Sequence, residues 1–251
     1  MSETLAHFVL VTPVWNDSDR LRVFGSELAK TLNGLGLNVT WVIADDGSDA
    51  GEKDELKKIS DQFRRIYPDL VLHNYNDRSR KGWAIHQSWR EYPDADFFAF
   101  VDADGAITPD TIVALMRQAL DGKTRKESIV GVRVLSGSLQ VHRTLLRKIS
   151  FLLFRWLVRM VVGIKLLDTQ CGAKVISGKA YRAIQTSITE RGYVFDVELL
   201  AFLVSEDWPI REIPISWREV AGSKLCLWKD IWSMLAGLLR IRRRLRLNDN
   251  R

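Results

Sequence analysis

The sequence predicts an α/β domain built on a mostly parallel sheet with helices on both faces. Two observations carry this. Short apolar runs alternate with longer segments of helical spacing through the first half of the chain, and polar or acidic residues close those runs at Thr12, Asp45-Asp46 and Asp102-Ala103-Asp104. Strands and helices alternating at this rhythm imply parallel strands joined by helical crossovers. Ligands of such sheets bind beyond the carboxyl ends of the strands.

Phe8-Val9-Leu10-Val11 reads as the first strand and stops at Thr12-Pro13. Arg20 to Leu35 has helical spacing and ends at Gly34 and Gly36, which suit a helix stop. Val39 to Ala44 is the second strand, Glu52 to Tyr67 a helix closed by Pro68, and Leu70 to His73 the third strand. Gly82 to Tyr92 is a helix, Phe97 to Val101 the fourth strand, Pro109 to Leu120 a helix and Ile129 to Val134 a further strand. Arg143 to Ile164 follows as a helix apolar on most sides, with Lys148, Arg155 and Arg159 in one stripe. A segment from Lys165 to Val175, a helix from Tyr193 to Ser205, a strand around Arg211 to Trp217 and an Arg-rich amphipathic helix from Trp228 to Leu247 complete the chain. The expected division is a catalytic domain over 1–226 and a basic amphipathic helix and tail over 227–251.

The 251 residues suit one large domain. The net charge is +6, and +5 of it lies between Arg240 and Arg251, so the rest is near neutral. That balance does not call for a nucleic-acid-binding face, and no nucleic-acid-reading motif accompanies the tail. Cys171 and Cys226 have no paired metal spacing and make no disulfide framework; reduced thiols in a cytosolic setting are expected. Met1 to His7 lacks a basic-then-apolar leader, and no run reaches the ~20 apolar residues of a spanning helix.

Asp102-Ala103-Asp104 directly follows the apolar run Phe97–Val101. Residues i and i+2 of an extended strand point to the same side, so two carboxylates converge at its end. Mg²⁺ or Mn²⁺ takes hard oxygen ligands and is often shared with a substrate diphosphate; a surface turn produces the same pattern. Asp45-Asp46-Gly47-Ser48 is either a turn or a carboxylate site for a nucleotide base or ribose. Lys81-Gly82 is either a solvated loop lysine or a cation beside a phosphate. The order is the stronger signal: strand-Thr-Pro, strand-Asp-Asp-Gly-Ser, Lys-Gly, strand-Asp-x-Asp.

In these segments the chain resembles the family 2 inverting glycosyltransferases of GT-A fold. It is similar in particular to the polyprenyl-phosphate or dolichyl-phosphate glucosyl- and mannosyltransferases. The likeness continues through Gly131-Val132-Arg133, Asp168-Thr169-Gln170-Cys171-Gly172-Ala173-Lys174, Phe195-Asp196-Val197-Glu198-Leu199-Leu200 and Gly222-Ser223-Lys224, and spans roughly residues 8 to 245. The last three segments look most like the dolichyl-phosphate β-glucosyltransferase branch and its bacterial relatives. The resemblance implies a nucleotide-sugar donor, UDP-glucose first and GDP-mannose second, a polyprenyl-phosphate acceptor, and Mg²⁺ or Mn²⁺ held by Asp102 and Asp104. It implies that Asp46, with Asp45 beside it, binds the base, that Thr12, Pro13 and Asn16 line the nucleotide pocket, and that Lys81 stands near phosphate. Arg133, Arg143 and Arg147 would meet the acceptor phosphate, and Ser223 and Lys224 would close over a phosphate. Asp168, Gln170, Asp196 and Glu198 would shape the sugar pocket or support the basic residues.

The chain departs from the pattern at two places. Trp83 stands where a small residue is usual, and Ala106 where some relatives carry a further polar metal ligand. The membrane-spanning helices of the family are also absent. A phosphate oxygen is already an anion near neutral pH, so a strong general base is unnecessary, which fits the scatter of His7, His73, His86 and His142. A saccharide or other hydroxyl acceptor would instead need a base, for which Asp196 or Glu198 are the candidates. A non-catalytic nucleotide-sugar or membrane-binding protein is the remaining reading. Helix 143–164 is either core or a helix in the membrane interface, and the arginine tail either a solvated end or a dock on anionic lipid. The expected location is peripheral, at the cytoplasmic face of a membrane.

Overall fold

The computed structural model describes residues 5–121, 126–133, 145–218, 220 and 227–248, with the backbone alone for 145–148 and 227–231. Seven strands form one sheet: β1 (His7–Val14), β2 (Asn38–Asp45), β3 (Leu70–Asn74), β4 (Phe97–Val101), β5 (Ser128–Arg133), β6 (Ala173–Ser177) and β7 (Ile210–Ile215). The helices are α1 (Ser18–Asn33), α2 (Ala50–Arg64), α3 (Lys81–Arg90), α4 (Pro109–Leu120), α5 (Leu145–Val161), α6 (Gly178–Ile184), α7 (Phe195–Ser205) and α8 (Leu227–Asn248). The strand order is β3-β2-β1-β4-β6-β5-β7. β1 pairs parallel with β2 and β4, β2 with β3, and β5 with β7, whereas β6 runs antiparallel to both β4 and β5.

β1 shows why the sheet is covered on both sides. Phe8 and Leu10 enter one core with residues of α1, α2 and α4, while Val9 and Val11 enter the other with residues of α3, α6 and α7. Strands buried on both faces read as continuous apolar runs rather than as alternation. All five residues of β4 are buried for this reason. α4 begins with Thr108 as N-cap, its side chain accepting from Thr111 N–H, and with Pro at the first helical turn.

The expected strands and helices of the first half fall where the periodicity puts them, within a few residues. β6 and α6 were not anticipated. β6 is five residues long and carries a lysine, so neither the alternating pattern nor a continuous apolar run marks it. Its role is to continue the sheet from β4 to β5 with reversed polarity. It thereby brings the segment before it, Asp168 to Gly172, beside the end of β4, where Asp102 N–H donates to Gly172 O at 3.0 Å.

α5 packs one side on the second core through Phe154, Leu157, Val158 and Val161. Its other side holds Ile149, Leu152, Leu153, Trp156 and Met160, all exposed. The core reading therefore holds for the inner face, and the outer face is left exposed. α8 is held by the same core, with Leu238 and Ile241 fully buried. No helix among the described residues is long and apolar enough to cross a membrane.

α3 and α7 approach closely at Gly82. A Cβ there would lie 2.3 Å from Phe195 Cβ and 3.0 Å from Arg191 O, and Gly82 N–H donates to that same oxygen at 2.8 Å. Gly82→Ala should therefore cost about 2 kcal/mol through overpacking and lower Tm by about 6 °C. A thermal melt unchanged within about a degree would contradict this contact.

Candidate active site

The end of β4 gathers the acidic pair. Asp102 and Asp104 lie immediately beyond Val101, and Asp104 Oδ1 accepts the N–H of Ala106 at 2.9 Å. Burial, together with repulsion from Asp102, raises Asp104 above the usual carboxylate range. Gly172 makes room for Asp102: a Cβ on Gly172 would lie 2.2 Å from Asp102 Oδ2. The glycine of the Asp-Thr-Gln-Cys-Gly segment is thus required by close approach.

Cations face this pair from three directions. Lys81 Nζ, from the first turn of α3, lies 2.7 Å from Asp102 Oδ1 and 3.8 Å from Asp196 Oδ2. Burial works to lower the Lys81 pKa, but the charges of Asp102 and Asp196 outweigh it and hold the ammonium firmly charged. Arg20 of α1 is hydrogen-bonded to Asp17 and interacts electrostatically with Asp104 and Asp102. Arg133, at the end of β5, forks onto Asp168, with Nε to Oδ2 at 2.6 Å and Nη2 to Oδ1 at 2.7 Å. Burial opposes the Arg133 charge, yet Asp168 raises its pKa, with a further contribution from Asp102.

Asp168 is fully buried and also accepts the backbone N–H of Arg133 at 3.1 Å and of Gln170 at 3.2 Å. It acts as the anchor of Arg133. The rings of Phe151, on α5, and Trp217 lie 5.4 and 5.7 Å from the guanidinium carbon. Gln170 donates to Tyr193 O at 3.3 Å, tying this loop to the start of α7.

A second acidic site lies at the end of β2. Asp46 is buried and its Oδ1 accepts the N–H of Ser79 at 2.8 Å; burial raises its pKa, and backbone donors at Ser79 and Arg80 oppose the rise. Asp45 accepts Ser48 N–H at 3.0 Å. Its Oδ2 is buried with no hydrogen-bond partner among the described residues, and burial raises its pKa as well. Asn16, at φ 46°, joins Ser48 and Asp49 at 2.8 Å each. Arg78 stacks on Trp15, 3.3 Å from the ring centroid. Pro13 lies in β1 next to Thr12, whose hydroxyl is fully buried and accepts from Trp41 Nε1 at 3.0 Å, so Thr12 braces the sheet.

Asp102, Asp104, Lys81, Asp196, Arg133, Asp168 and Gln170 therefore form one linked set, and Asp45, Asp46 and Asn16 a neighbouring one. Glu198 joins neither. It is fully buried, accepts from Thr189 and Glu190 N–H at 2.9 and 2.7 Å, and pairs with Arg244 of α8 at 2.6 Å. Arg143, Ser223 and Lys224, and the side chain of Arg147, lie outside the described residues. Trp83 packs edge-on against Tyr75, with centroids 4.6 Å apart. Ala106 contributes only its backbone, to Asp104 and to Arg218 N–H at 3.1 Å.

Two residues received no role from the sequence. Lys174 of β6 is fully buried, donating to Cys171 O at 2.6 Å and to Asp196 Oδ1 at 2.7 Å. Its signal was a lysine within the apolar stretch Ala173–Ser177, since a buried lysine needs a charged partner. Arg20 gave no signal, because a helix-surface arginine has the same local pattern.

An acidic pair beyond a central strand, flanked by cations in a mostly parallel sheet, defines a GT-A glycosyltransferase fold. The sequence profile of "Glycosyl transferase family 2" matches residues 9–183, and the chain belongs to that family and is a glycosyltransferase. It is 30% identical over 246 residues to the dolichyl-phosphate beta-glucosyltransferase of Saccharomyces cerevisiae, covering 93% of this chain and 73% of that protein. It is 32% identical over 249 residues to dolichyl-phosphate beta-glucosyltransferase ALG5D of Trichomonas vaginalis, covering 95% and 73%. The fold is also similar to glucosyl-3-phosphoglycerate synthase from Mycobacterium tuberculosis in complex with Mn²⁺, UDP-glucose and phosphoglyceric acid. There the TM-score is 0.64 at 14% identity, over 96% of this chain and 80% of that one.

Burial lifts Glu198 from its ordinary 4.5 to about 7, against the pull of Arg244. Between those pH values the folded protein keeps a proton that the unfolded chain has lost, so this group's contribution to stability falls as pH rises from about 4.5 to about 7. Glu198→Gln removes that slope. Denaturant melts at pH 5 and pH 7.5 should diverge between the two proteins by on the order of 2 kcal/mol, with the glutamine variant gaining at the higher pH. Parallel pH dependence would contradict the assignment.

Proposed function

We propose that the protein transfers glucose from UDP-glucose to a polyprenyl phosphate, with inversion, at a membrane surface. One observation carries the acceptor reading: Arg133, forked onto Asp168, lies against Phe151 of α5, so the cationic site adjoins the helix whose outer face is an exposed apolar stripe. An arginine at the foot of such a helix suits a ligand with an anionic head and an apolar tail. The relatives named dolichyl-phosphate beta-glucosyltransferase support the same sugar and acceptor class.

Asp102 and Asp104 are the residues that would hold Mg²⁺ or Mn²⁺. Their oxygens suit a hard cation, and Gly172 leaves the space Asp102 needs. Among the described residues no third acidic, His or Cys side chain joins them, which leaves the remaining positions to donor oxygens and water. A divalent ion bound there supplies Lewis acidity to the leaving diphosphate.

The chain's own residues do the rest by position and charge. Asp46, with Asp45 beside it, accepts hydrogen bonds from the nucleoside, near Pro13 and Asn16. Lys81 offers an ammonium to the donor phosphates. Arg133, aimed by Asp168, presents its planar fork to the acceptor phosphate, with Arg143 and Arg147, which follow it in the chain, as further cations and Ser223 and Lys224 as closing groups. Gln170 and Asp196 border the sugar. The acceptor oxygen arrives already ionised and attacks the anomeric carbon as the diphosphate leaves, so no side chain has to remove a proton. A hydroxyl acceptor is disfavoured by the surroundings of its two candidate bases. Both oxygens of Asp196 face ammonium groups, and Glu198 is enclosed between α7 and α8.

The test is direct. Purified protein with UDP-glucose, Mn²⁺ and a short polyprenyl phosphate should yield a glucosyl lipid; transfer only to a sugar hydroxyl would overturn the reading. Asp104→Asn should lower kcat by at least about 100-fold. Arg133→Lys should lower kcat/KM for the lipid phosphate by about 10-fold or more, because lysine lacks the bidentate fork.

The same reading sends the outer face of α5 to the membrane. Trp156 and Met160 are 56% and 61% exposed, and Arg155 and Arg159 flank them on the exposed surface. Flotation with vesicles containing phosphatidylglycerol should carry the protein upward at low salt, and a Trp156→Asp, Met160→Asp double variant should remain at the bottom of the gradient. Equal flotation of the two would remove α5 as the contact.

A further inference from the structure

Four charged side chains of alternating sign run from the sheet interior to the acidic pair: Lys174, Asp196, Lys81 and Asp102. Lys174 Nζ lies 2.7 Å from Asp196 Oδ1, Lys81 Nζ lies 3.8 Å from Asp196 Oδ2, and Lys81 Nζ lies 2.7 Å from Asp102 Oδ1. Both ammonium groups also lie near the Phe100 ring, at 4.9 and 5.1 Å from its centroid.

The two oxygens of Asp102 are not equivalent. Oδ2 is turned onto Gly172, where not even a Cβ would fit, whereas Oδ1 carries the Lys81 ammonium. A divalent ion binds a carboxylate oxygen at about 2.0–2.2 Å. An ammonium at 2.7 Å from that same oxygen would crowd the ion and repel it. Lys81 and the ion are therefore rivals for Asp102 Oδ1.

Lys81 has a second seat. Asp196 Oδ2 needs a shift of the ammonium by only about 1 Å to become a full hydrogen-bond partner. Asp196 cannot follow the metal, because its other oxygen is tied to Lys174, which is fully buried and also bonded to Cys171 O at 2.6 Å. The backbone of Lys81 stays in place because the next residue, Gly82, is bonded to Arg191 O. Only the lysine side chain has to move.

We propose that Lys81 is a positioning residue that gates the metal. Its ammonium holds Asp102 in the metal-free protein and passes to Asp196, kept in place by Lys174, when a divalent ion takes Asp102. This rests on the metal reading of Asp102 and Asp104 given above. In consequence the metal alone binds weakly, and its arrival sets an ammonium at Asp196 beside the donor.

Mn²⁺ binding to the full chain without nucleotide, followed by the electron paramagnetic resonance signal of free Mn²⁺, tests this independently of turnover. Lys81→Met should tighten Mn²⁺ about tenfold, and Lys81→Gln should do the same if the methionine variant folds poorly by circular dichroism. Asp196→Asn removes the second seat and should weaken Mn²⁺ several-fold, but only while Lys81 is present; in the Lys81→Met background it should have no effect. No tightening in either Lys81 variant overturns the gate. So does an equal loss from Asp196→Asn in both backgrounds, since that is the signature of charge alone. Asp104→Asn separates the two layers of the argument: if Mn²⁺ binds it as well as the parent, the metal reading itself fails, whereas loss there with unchanged Lys81 variants sinks only the gate.

Discussion

Much of this molecule follows from the need to match carboxylates gathered at one end of a buried sheet. β4 is buried along its whole length, so Asp102 and Asp104 emerge, both half-buried, from the end of an apolar layer. Asp168, fully buried, and Asp196, nearly so, add two more carboxylates within the same region. Unpaired charges in such a place are costly, and paired ones demand good geometry. The cations that answer them come from different elements: Lys81 from α3, Arg133 from β5, Lys174 from β6 and Arg20 from α1. Charge matching thus ties together parts of the chain far apart in sequence.

The reversed strand is what allows that. A parallel strand between β4 and β5 would deliver its start to the far edge of the sheet. β6 enters at the edge where β4 ends, pairing Val101 with Ala173. The loop before it then supplies Gly172 against Asp102 and Asp168 against Arg133. Lys174, two residues later, points into the layer where α7 carries Asp196. One antiparallel insertion therefore places a spacer, an anchor and a buried cation, and the five-residue length of β6 is enough.

The legibility of the sequence divides along the same line. The first four strands and their helices were readable because buried strands are unbroken apolar runs and the helices between them keep a 3.6-residue period. The acidic pair was readable because it interrupts such a run at its end. β6 was not, because a lysine at its second position breaks the apolar run, and the charge that neutralises it lies on another element. Glu198 takes the second of the two roles the resemblance allows, support of a basic residue, and takes it away from the acidic pair, because α7 is a helix. Neighbours two apart on a helix point in different directions, so Asp196 meets Lys174 while Glu198 meets Arg244 on α8.

That divergence also connects the site to the outer helices. α7 turns Asp196 toward the sheet end and Glu198 toward α8, where Glu190 receives Arg240 and Arg244 as well. α8 in turn contacts α5, whose Phe151 lies over Arg133. The helix with the exposed apolar stripe is thus bound on its inner side to elements that hold the charged site. An acceptor with an ionic head and a long apolar tail needs both environments within one molecular length. A site for a hydroxyl acceptor would need a base open to the substrate, and Asp196 is instead faced by two lysines. The carboxylates of this region hold cations in place.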